Sequence, residues 1–170
     1  GCNLMKIRVI VPCFNEGEVV TKTYDKLTEI LMKDSLDKGY DYDLLFVDDG
    51  SKDNTIDHVQ HLASSDLHVK YISFSRNFGK ESAMIAGFQH SVKCDAVVMV
   101  DGDLQHPPEF IPQMIEGFQE GYDQVIAKRD RTGENIARKS MTKLYYKLIN
   151  SFAEDIEFID GVGDFRLLSQ

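Results

Sequence analysis

The stretch at residues 95–108, Asp-Ala-Val-Val-Met-Val-Asp-Gly-Asp-Leu-Gln-His-Pro-Pro, constrains this chain more than any other. Val97, Val98, Met99 and Val100 form an unbroken apolar run, the pattern of a strand covered on both faces. Asp101 and Asp103 follow at once, and Pro107-Pro108 forbids further strand. Two carboxylates at the mouth of a buried strand need compensation. A divalent cation holding a phosphorylated ligand supplies it, because Mg²⁺ and Mn²⁺ favour hard oxygen donors. An Asp-rich turn explains a bare Asp-x-Asp equally well, so the neighbouring segments decide between the two.

Those neighbours repeat one design. Residues 6–11 read as a first strand stopped by Pro12, and residues 18–38 as a helix with Val20, Tyr24, Leu27 and Leu31 at helical spacing, ended by Gly39. Residues 42–47 read as a second buried strand, emptying into Asp48-Asp49-Gly50-Ser51. Asp53 or Asn54 is placed to cap the next helix, which carries Ile56, Val59 and Leu62. A third strand at 69–74 ends at Ser75-Arg76-Asn77-Phe78-Gly79. Residues 80–92 follow as a helix whose Ala83, Ala86 and Gly87 allow close packing on a sheet. After the Asp101 strand come a helix at 109–120, a strand at 122–127 and a long amphipathic helix at 136–152. A loop at 160–166 then enters one more strand.

Such alternation predicts a three-layer α/β sandwich with a mostly parallel sheet, its first four strands parallel and helices on both faces. Sheets of this kind take ligands beyond the carboxyl ends of their strands. Four polar clusters fall at such ends: residues 12–16, 48–51, 76–77 and 101–105. They are expected to converge on one rim and form a site.

Several nucleotide and phosphate folds are excluded. The turn after the first strand is Pro-Cys-Phe-Asn-Glu-Gly, with no Gly-x-Gly-x-x-Gly, and no Gly-x-x-x-x-Gly-Lys-Ser/Thr occurs anywhere. A phospho-acceptor receiver would carry acidic residues after strands one and three, whereas here they follow strands two and four. A haloacid-dehalogenase-like phosphatase would place its Asp-x-Asp on the first strand. The net charge of −9 argues against a general nucleic-acid binder. That charge is uneven: between 127 and 150, Lys128, Arg129, Arg131, Arg138, Lys139, Lys143 and Lys147 face only Asp130 and Glu134. The local excess of +5 suggests an anionic partner met at one place.

Val11-Pro12-Cys13-Phe14-Asn15-Glu16, Val47-Asp48-Asp49-Gly50-Ser51 with Asp53 and Thr55, Arg76-Asn77 with Gly79-Lys80, and Asp101-Gly102-Asp103-Leu104-Gln105-His106-Pro107-Pro108 occur in order. Together they resemble the family-2 inverting glycosyltransferases of the GT-A (Rossmann-like) fold. With Gly161-Val162-Gly163-Asp164-Phe165-Arg166, they most resemble the branch of dolichol-phosphate mannose synthases and bacterial polyprenyl-phosphate glycosyltransferases. The resemblance implies a metal-assisted enzyme that transfers a sugar from a UDP- or GDP-sugar donor, with inversion, to undecaprenyl or dolichyl phosphate.

It also implies residue roles. Pro12, Phe14 and Glu16 match a base and ribose wall, and Asp49 a base-reading carboxylate. Asp48 is expected to turn to the opposite face. Lys80 contacts donor phosphate or is solvated, and Arg76 is expected to be structural, pairing with the acidic rim. Asp101, Gly102 and Asp103 match the diphosphate site, with Asp101, Asp103 and Gln105 as ligands of Mg²⁺ or Mn²⁺. His106 is read as orienting its turn. Arg129, Arg138 and Lys139 match the acceptor-phosphate grip, since guanidinium suits phosphate oxygens; Lys143 and Lys147 read as solvated. Asp103 and Asp164 are the expected catalytic carboxylates.

Residues 1–170 are expected to form a single catalytic domain truncated at its C-terminus. Members of this branch usually continue into amphipathic or transmembrane helices. No apolar run approaches the ~18 residues of a membrane span, no basic-then-apolar leader precedes Met5-Lys6, and a homo-oligomer stays open. The full-length protein is expected at the cytoplasmic face of a membrane, this piece being soluble. The three widely spaced cysteines match no zinc or disulfide pattern and suit a reducing compartment. Two alternatives stand beside the main reading. One is a transferase of the same fold acting on a polysaccharide, protein or soluble acceptor in envelope synthesis. The other is a nucleotide-sugar-binding domain without turnover.

Overall fold

A computed structural model describes residues 4–100, 108–121, 124–126 and 166–169. The elements are β1 (Met5–Cys13), α1 (Val20–Lys38), β2 (Tyr40–Asp48), α2 (Thr55–Ser65), β3 (Val69–Ser73), α3 (Lys80–Gln89) and β4 (Ala96–Met99). A 3-10 turn (Pro108–Phe110) leads into α4 (Ile111–Gln119), and β5 (Gln124–Ile126) and β6 (Arg166–Ser169) follow. They build one sheet in the order β3-β2-β1-β4-β6-β5. β1 to β4 are mutually parallel, as alternation requires. β6 runs antiparallel between β4 and β5, so β5 never touches β4 directly.

The unbroken apolar runs follow from burial on both faces. Val9, Val11, Leu44, Phe46, Val98 and Val100 face a core closed by Val20, Leu27 and Leu31 of α1, Val59 of α2, and Ile111, Met114 and Ile115 of α4. Ile10, Leu45, Val47, Val97 and Met99 face Ala83, Met84 and Phe88 of α3. Gly87 is what lets α3 lie so close. A Cβ there would stand 2.6 Å from Ile10 Cγ2, inside contact distance.

Two local expectations need correction. Pro12 does not stop β1, which continues to Cys13 with Pro12 in register with Val47. Even-numbered β1 residues turn their backbone groups toward β4: Lys6 O accepts Asp95 N–H and Ile10 O accepts Val100 N–H. The β1–β4 pairing ends at Ile10 and Met99, so the missing Pro12 N–H costs no ladder bond. The helix expected to reach residue 92 ends at Gln89, where His90 caps it. Gly39 terminates α1 as expected, in the left-handed region at φ 73. The helix expected at 136–152 lies outside the described residues.

Candidate functional site

The carboxyl ends of β1, β2 and β3 deliver their motifs to one rim, and hydrogen bonds lock them together. Asn15 makes the first links to the turn after β2: Asn15 N–H donates to Ser51 Oγ at 2.9 Å, and Lys52 N–H donates to Asn15 Oδ1 at 2.9 Å. Glu16 N–H donates to Thr55 Oγ1 at 2.9 Å, and Gly17 N–H to Asp53 Oδ2 at 3.1 Å. Asn15 takes a positive φ of 50 to make this turn, which asparagine tolerates. Gly17 has no room for a side chain, since a Cβ would stand 2.0 Å from Asn54 Oδ1.

Asp53 serves α2 as well. Its Oδ1 accepts Thr55 N–H at 2.9 Å and the Thr55 hydroxyl, and these bonds hold its carboxyl below the usual carboxylate range. Asn54 is the N-cap residue but makes no side-chain cap bond. The polar residues Asn15, Ser51, Asp53 and Thr55 thus interlock two loops. Asp53 was expected as a candidate cap of α2; Asn15, Ser51 and Thr55 had no individual role from sequence, and their signal was their place inside the two strand-end motifs.

Asp48 and Asp49, both buried, turn to opposite sides. Asp48 accepts the hydroxyl of Ser51 in its own turn. Asp49 reaches the loop before α3: Oδ1 accepts Phe78 N–H at 2.8 Å, and Oδ2 accepts Gly79 N–H at 3.0 Å and Asn77 Nδ2 at 3.1 Å. Its charge therefore sits at the N-terminal end of α3, where the helix dipole favours an anion. Gly50 brings the two loops into contact. At φ 72, a Cβ there would lie 2.2 Å from the Arg76 carbonyl carbon.

Arg76 does not pair with the acidic rim among the described residues. Its guanidinium lies 4.4 Å over the Phe78 ring, which meets Phe74 edge-on at 5.6 Å. Phe14 and Phe78 are exposed aromatics at this rim, Pro12 is buried beside them, Glu16 is half-buried, and Lys80 is exposed at the start of α3. The concentration of carboxylates is felt locally. Burial, and then the charges of Asp48, Glu16, Asp53 and Asp49, push the Cys13 thiol far above its ordinary value.

β4 ends at the same rim, and Val100 N–H still bonds to Ile10 O at 3.0 Å. Asp101, Gly102, Asp103 and Gln105 come next in the chain but lie outside the described residues, as do Arg129, Arg138, Lys139 and Asp164. Among the described residues, no cluster of His, Cys, Asp and Glu forms a metal site, and no helix is long and apolar enough to cross a membrane.

A mostly parallel α/β sheet with an interlocked acidic and aromatic rim at its carboxyl edge has the build of a ligand-binding α/β domain. Its fold is shared with solved glycosyltransferases of the GT-A type. The mannosyltransferase PcManGT from Pyrobaculum calidifontis, solved with GDP-Man and Mn²⁺, superposes with a TM-score of 0.58 at 20% identity, covering 74% of this chain and 35% of that one. Staphylococcus aureus TarS, residues 1–349, gives 0.56 at 18% identity over 97% of this chain and 47% of its own. The family is also settled by sequence: the model of glycosyl transferase family 2 matches residues 8–170, and this chain belongs to that family.

Relatives include CsbB of Bacillus subtilis (strain 168), named as a glycosyltransferase, at 48% identity over 96% of this chain and 48% of its own. The prophage bactoprenol glucosyl transferase homolog of Escherichia coli (strain K12) is 42% identical over 98% of this chain and 53% of its own. The bactoprenol glucosyl transferase of Shigella phage SfV is 42% identical over 98% and 52%. The chain spans about half the length of these curated relatives.

Proposed function

We propose that the protein transfers a hexose from a nucleotide-sugar donor, UDP- or GDP-linked, to a polyprenyl phosphate such as undecaprenyl phosphate. The observation that carries this reading is the rim itself. Three strand ends deliver an aromatic and acidic wall beside the strand that leads into Asp101-Gly102-Asp103. The 42% identity to bactoprenol glucosyl transferases over nearly the whole chain supports the acceptor class.

Pro12, Phe14, Glu16 and Asp49 line the base and ribose side of the donor, with Lys80, Asp101, Gly102 and Asp103 toward its diphosphate. Asp101, Asp103 and Gln105 offer only hard oxygen donors, a set that suits Mg²⁺ or Mn²⁺. A bound divalent ion would supply Lewis-acid stabilisation of the departing nucleoside diphosphate. Arg129, Arg138 and Lys139 hold the acceptor phosphate. A phosphate monoester is already ionised near neutral pH, so the protein's task is to align it, and Asp164 orients it against the sugar carbon. The whole protein then works at the cytoplasmic face of a membrane.

The test is transfer from a panel of labelled UDP- and GDP-sugars by the full-length protein in membranes supplied with undecaprenyl phosphate, with Mn²⁺ or Mg²⁺. Label in the lipid phase from one donor, lost with chelator, is the expected result. Label appearing only on polysaccharide or protein, indifferent to added prenyl phosphate, would replace this acceptor with a soluble or polymeric one.

A further inference from the structure

Lysines of α1 hold the start of α4, the helix that follows residues 101–107. Lys38, in the last turn of α1, has its ammonium 3.0 and 3.2 Å from the two oxygens of Asp34 and donates to Pro112 O at 2.5 Å. An ammonium has three N–H groups, and these contacts engage them all. Asp34 is 8% exposed and also accepts the buried Tyr40 hydroxyl at 2.6 Å, so the cluster joins α1, β2 and α4. Lys26 reaches Glu109, in the 3-10 turn before α4, at 3.1 Å.

Stability does not account for this cluster. Ile111, Met114 and Ile115 are fully buried and already hold α4 against the core. Apolar burial is non-directional, however, and lets a helix slide or turn at small cost. A buried ion pair adds little net stability over apolar side chains of similar size, because desolvation offsets its attraction. What it supplies is position: one ammonium, held by a carboxylate of its own helix, bonds one carbonyl of α4.

That position bears on the chain just before it. Val100 N–H bonds to Ile10 O at 3.0 Å, which fixes the chain beyond β4. Pro108 is buried, and Glu109 and Pro112 are the points gripped by α1. Asp101, Asp103 and Gln105 fall between these two anchors in the sequence. We infer that Lys38 is a positioning residue for the metal ligands: seated on Asp34, it fixes the start of α4 and so sets one of the two anchors that present Asp101 and Asp103. Lys26 with Glu109 is a second, more exposed point of the same grip. This deepens the metal-dependent reading and rests on it.

Lys38→Met in the full-length protein removes the bond to Pro112 while keeping most of the side-chain volume. Without ligand, amide exchange should quicken in α4 and stay at the parent rate in α2 and β3. The Mn²⁺ concentration that half-saturates UDP or GDP binding in calorimetry should rise by about two- to thirtyfold, the range for coupling through packed elements. Transfer at saturating Mn²⁺ should stay close to the parent rate, since the ligands themselves are intact. Lys38→Arg keeps a donor and should recover part of the affinity. Glu109→Gln should act in the same direction more weakly, and its exposed site decides the matter if Lys38→Met does not fold. Asp43→Asn is the stability control. It breaks a buried ion pair on the α3 side of the sheet, whereas α4 packs on the other, and should leave the Mn²⁺ requirement unchanged.

Faster exchange in α4 with an unchanged Mn²⁺ requirement would make the grip a matter of stability and overturn the positioning role. An equal rise in Asp43→Asn would overturn it too, by tracing the loss to general loosening. Unaltered exchange in both Lys38→Met and Glu109→Gln would show that packing alone fixes α4. A parent that binds neither nucleotide, or binds with no need of Mn²⁺, would instead sink the donor and metal reading and the positioning role with it. The exchange data would still decide whether α1 grips α4.

Discussion

Arg8 and Asp43, register partners on β1 and β2, form a two-pronged ion pair inside the protein. Arg8 Nε meets Asp43 Oδ1 at 2.6 Å and Nη2 meets Oδ2 at 2.9 Å, with Arg8 8% and Asp43 3% exposed. Arg8 Nη1 also donates to His90 O at 2.6 Å, placing a cation at the carboxyl end of α3. Asp43 in turn holds the Arg8 guanidinium above its ordinary pKa through their hydrogen bond. Asp43→Ala strands a buried cation and should cost about 3–5 kcal/mol in urea unfolding. Arg8→Met with Asp43→Leu should cost much less than Asp43→Ala alone. Equal losses would mean that the pair matters through packing and not through charge.

The contact of Gly87 with Ile10 predicts a cost of a different origin. Gly87→Val places atoms where Ile10 Cγ2 already lies, and should destabilise by about 1–3 kcal/mol. Ile10→Ala removes the Cγ2 that meets the new side chain, so the double variant should lose less than the sum of the single losses, a coupling that thermal melts would reveal. Additive losses would show that α3 relieves the clash by moving away from the sheet.

Stability should decline at alkaline pH as buried hydroxyls and a buried thiol are forced to ionise. Burial, and then the charge of Asp66, push the Tyr42 hydroxyl up to about 12. Burial and its hydrogen bond to Asp34 raise Tyr40 further, and Cys13 is raised by burial and neighbouring carboxylates. All three hold protons in the native state that the unfolded chain releases near its ordinary values of 9.0 and 10.0. The unfolded state therefore binds fewer protons, so stability is full below about pH 9 and falls as pH rises toward 12. Urea midpoints measured from pH 7 to 11 should decline above 9. Tyr42→Phe should flatten part of that decline.

Metal and acceptor can be separated by mutation. Asp103→Asn should abolish the metal-dependent part of nucleoside diphosphate binding in calorimetry; equal binding with and without metal in both proteins would remove Asp103 from the ligand set. Arg129→Ala or Arg138→Ala should weaken use of prenyl phosphate by about 1.5–3 kcal/mol while donor binding barely changes. Arg129→Lys should rescue poorly, because an ammonium lacks the planar fork. Unaltered acceptor dependence in both Ala variants would turn the basic segment into a solvated surface.

The parallel half of the sheet was legible because burial on both faces leaves a direct mark, as in Leu44-Leu45-Phe46-Val47 and Val97-Val98-Met99-Val100. Gly39 was legible for the same local reason, a helix end in the left-handed region. The antiparallel insertion of β6 was not, because a four-residue strand with only Leu167 and Leu168 apolar carries no direction and its partners lie far off in sequence. Asp49 shows the limit most sharply. Its place at a strand end could be read locally, whereas the three donors it faces belong to a loop about thirty residues downstream. Alternation of side chains along β2 did correctly send Asp48 the other way.

Ile126, where β5 ends, and Arg166, where β6 begins, are register partners, and Arg166 also stands beside Met99 at the end of β4. The chain therefore departs after residue 126 and returns at residue 166 through one doorway, next to the strand that leads into Asp101. A segment whose two ends are clamped side by side can change length and composition at little cost to the sheet, since closing a longer loop adds entropy only logarithmically. Grafting the corresponding stretch of a relative between Ile126 and Arg166 should leave the donor rim untouched and test acceptor choice as a heritable, separable trait.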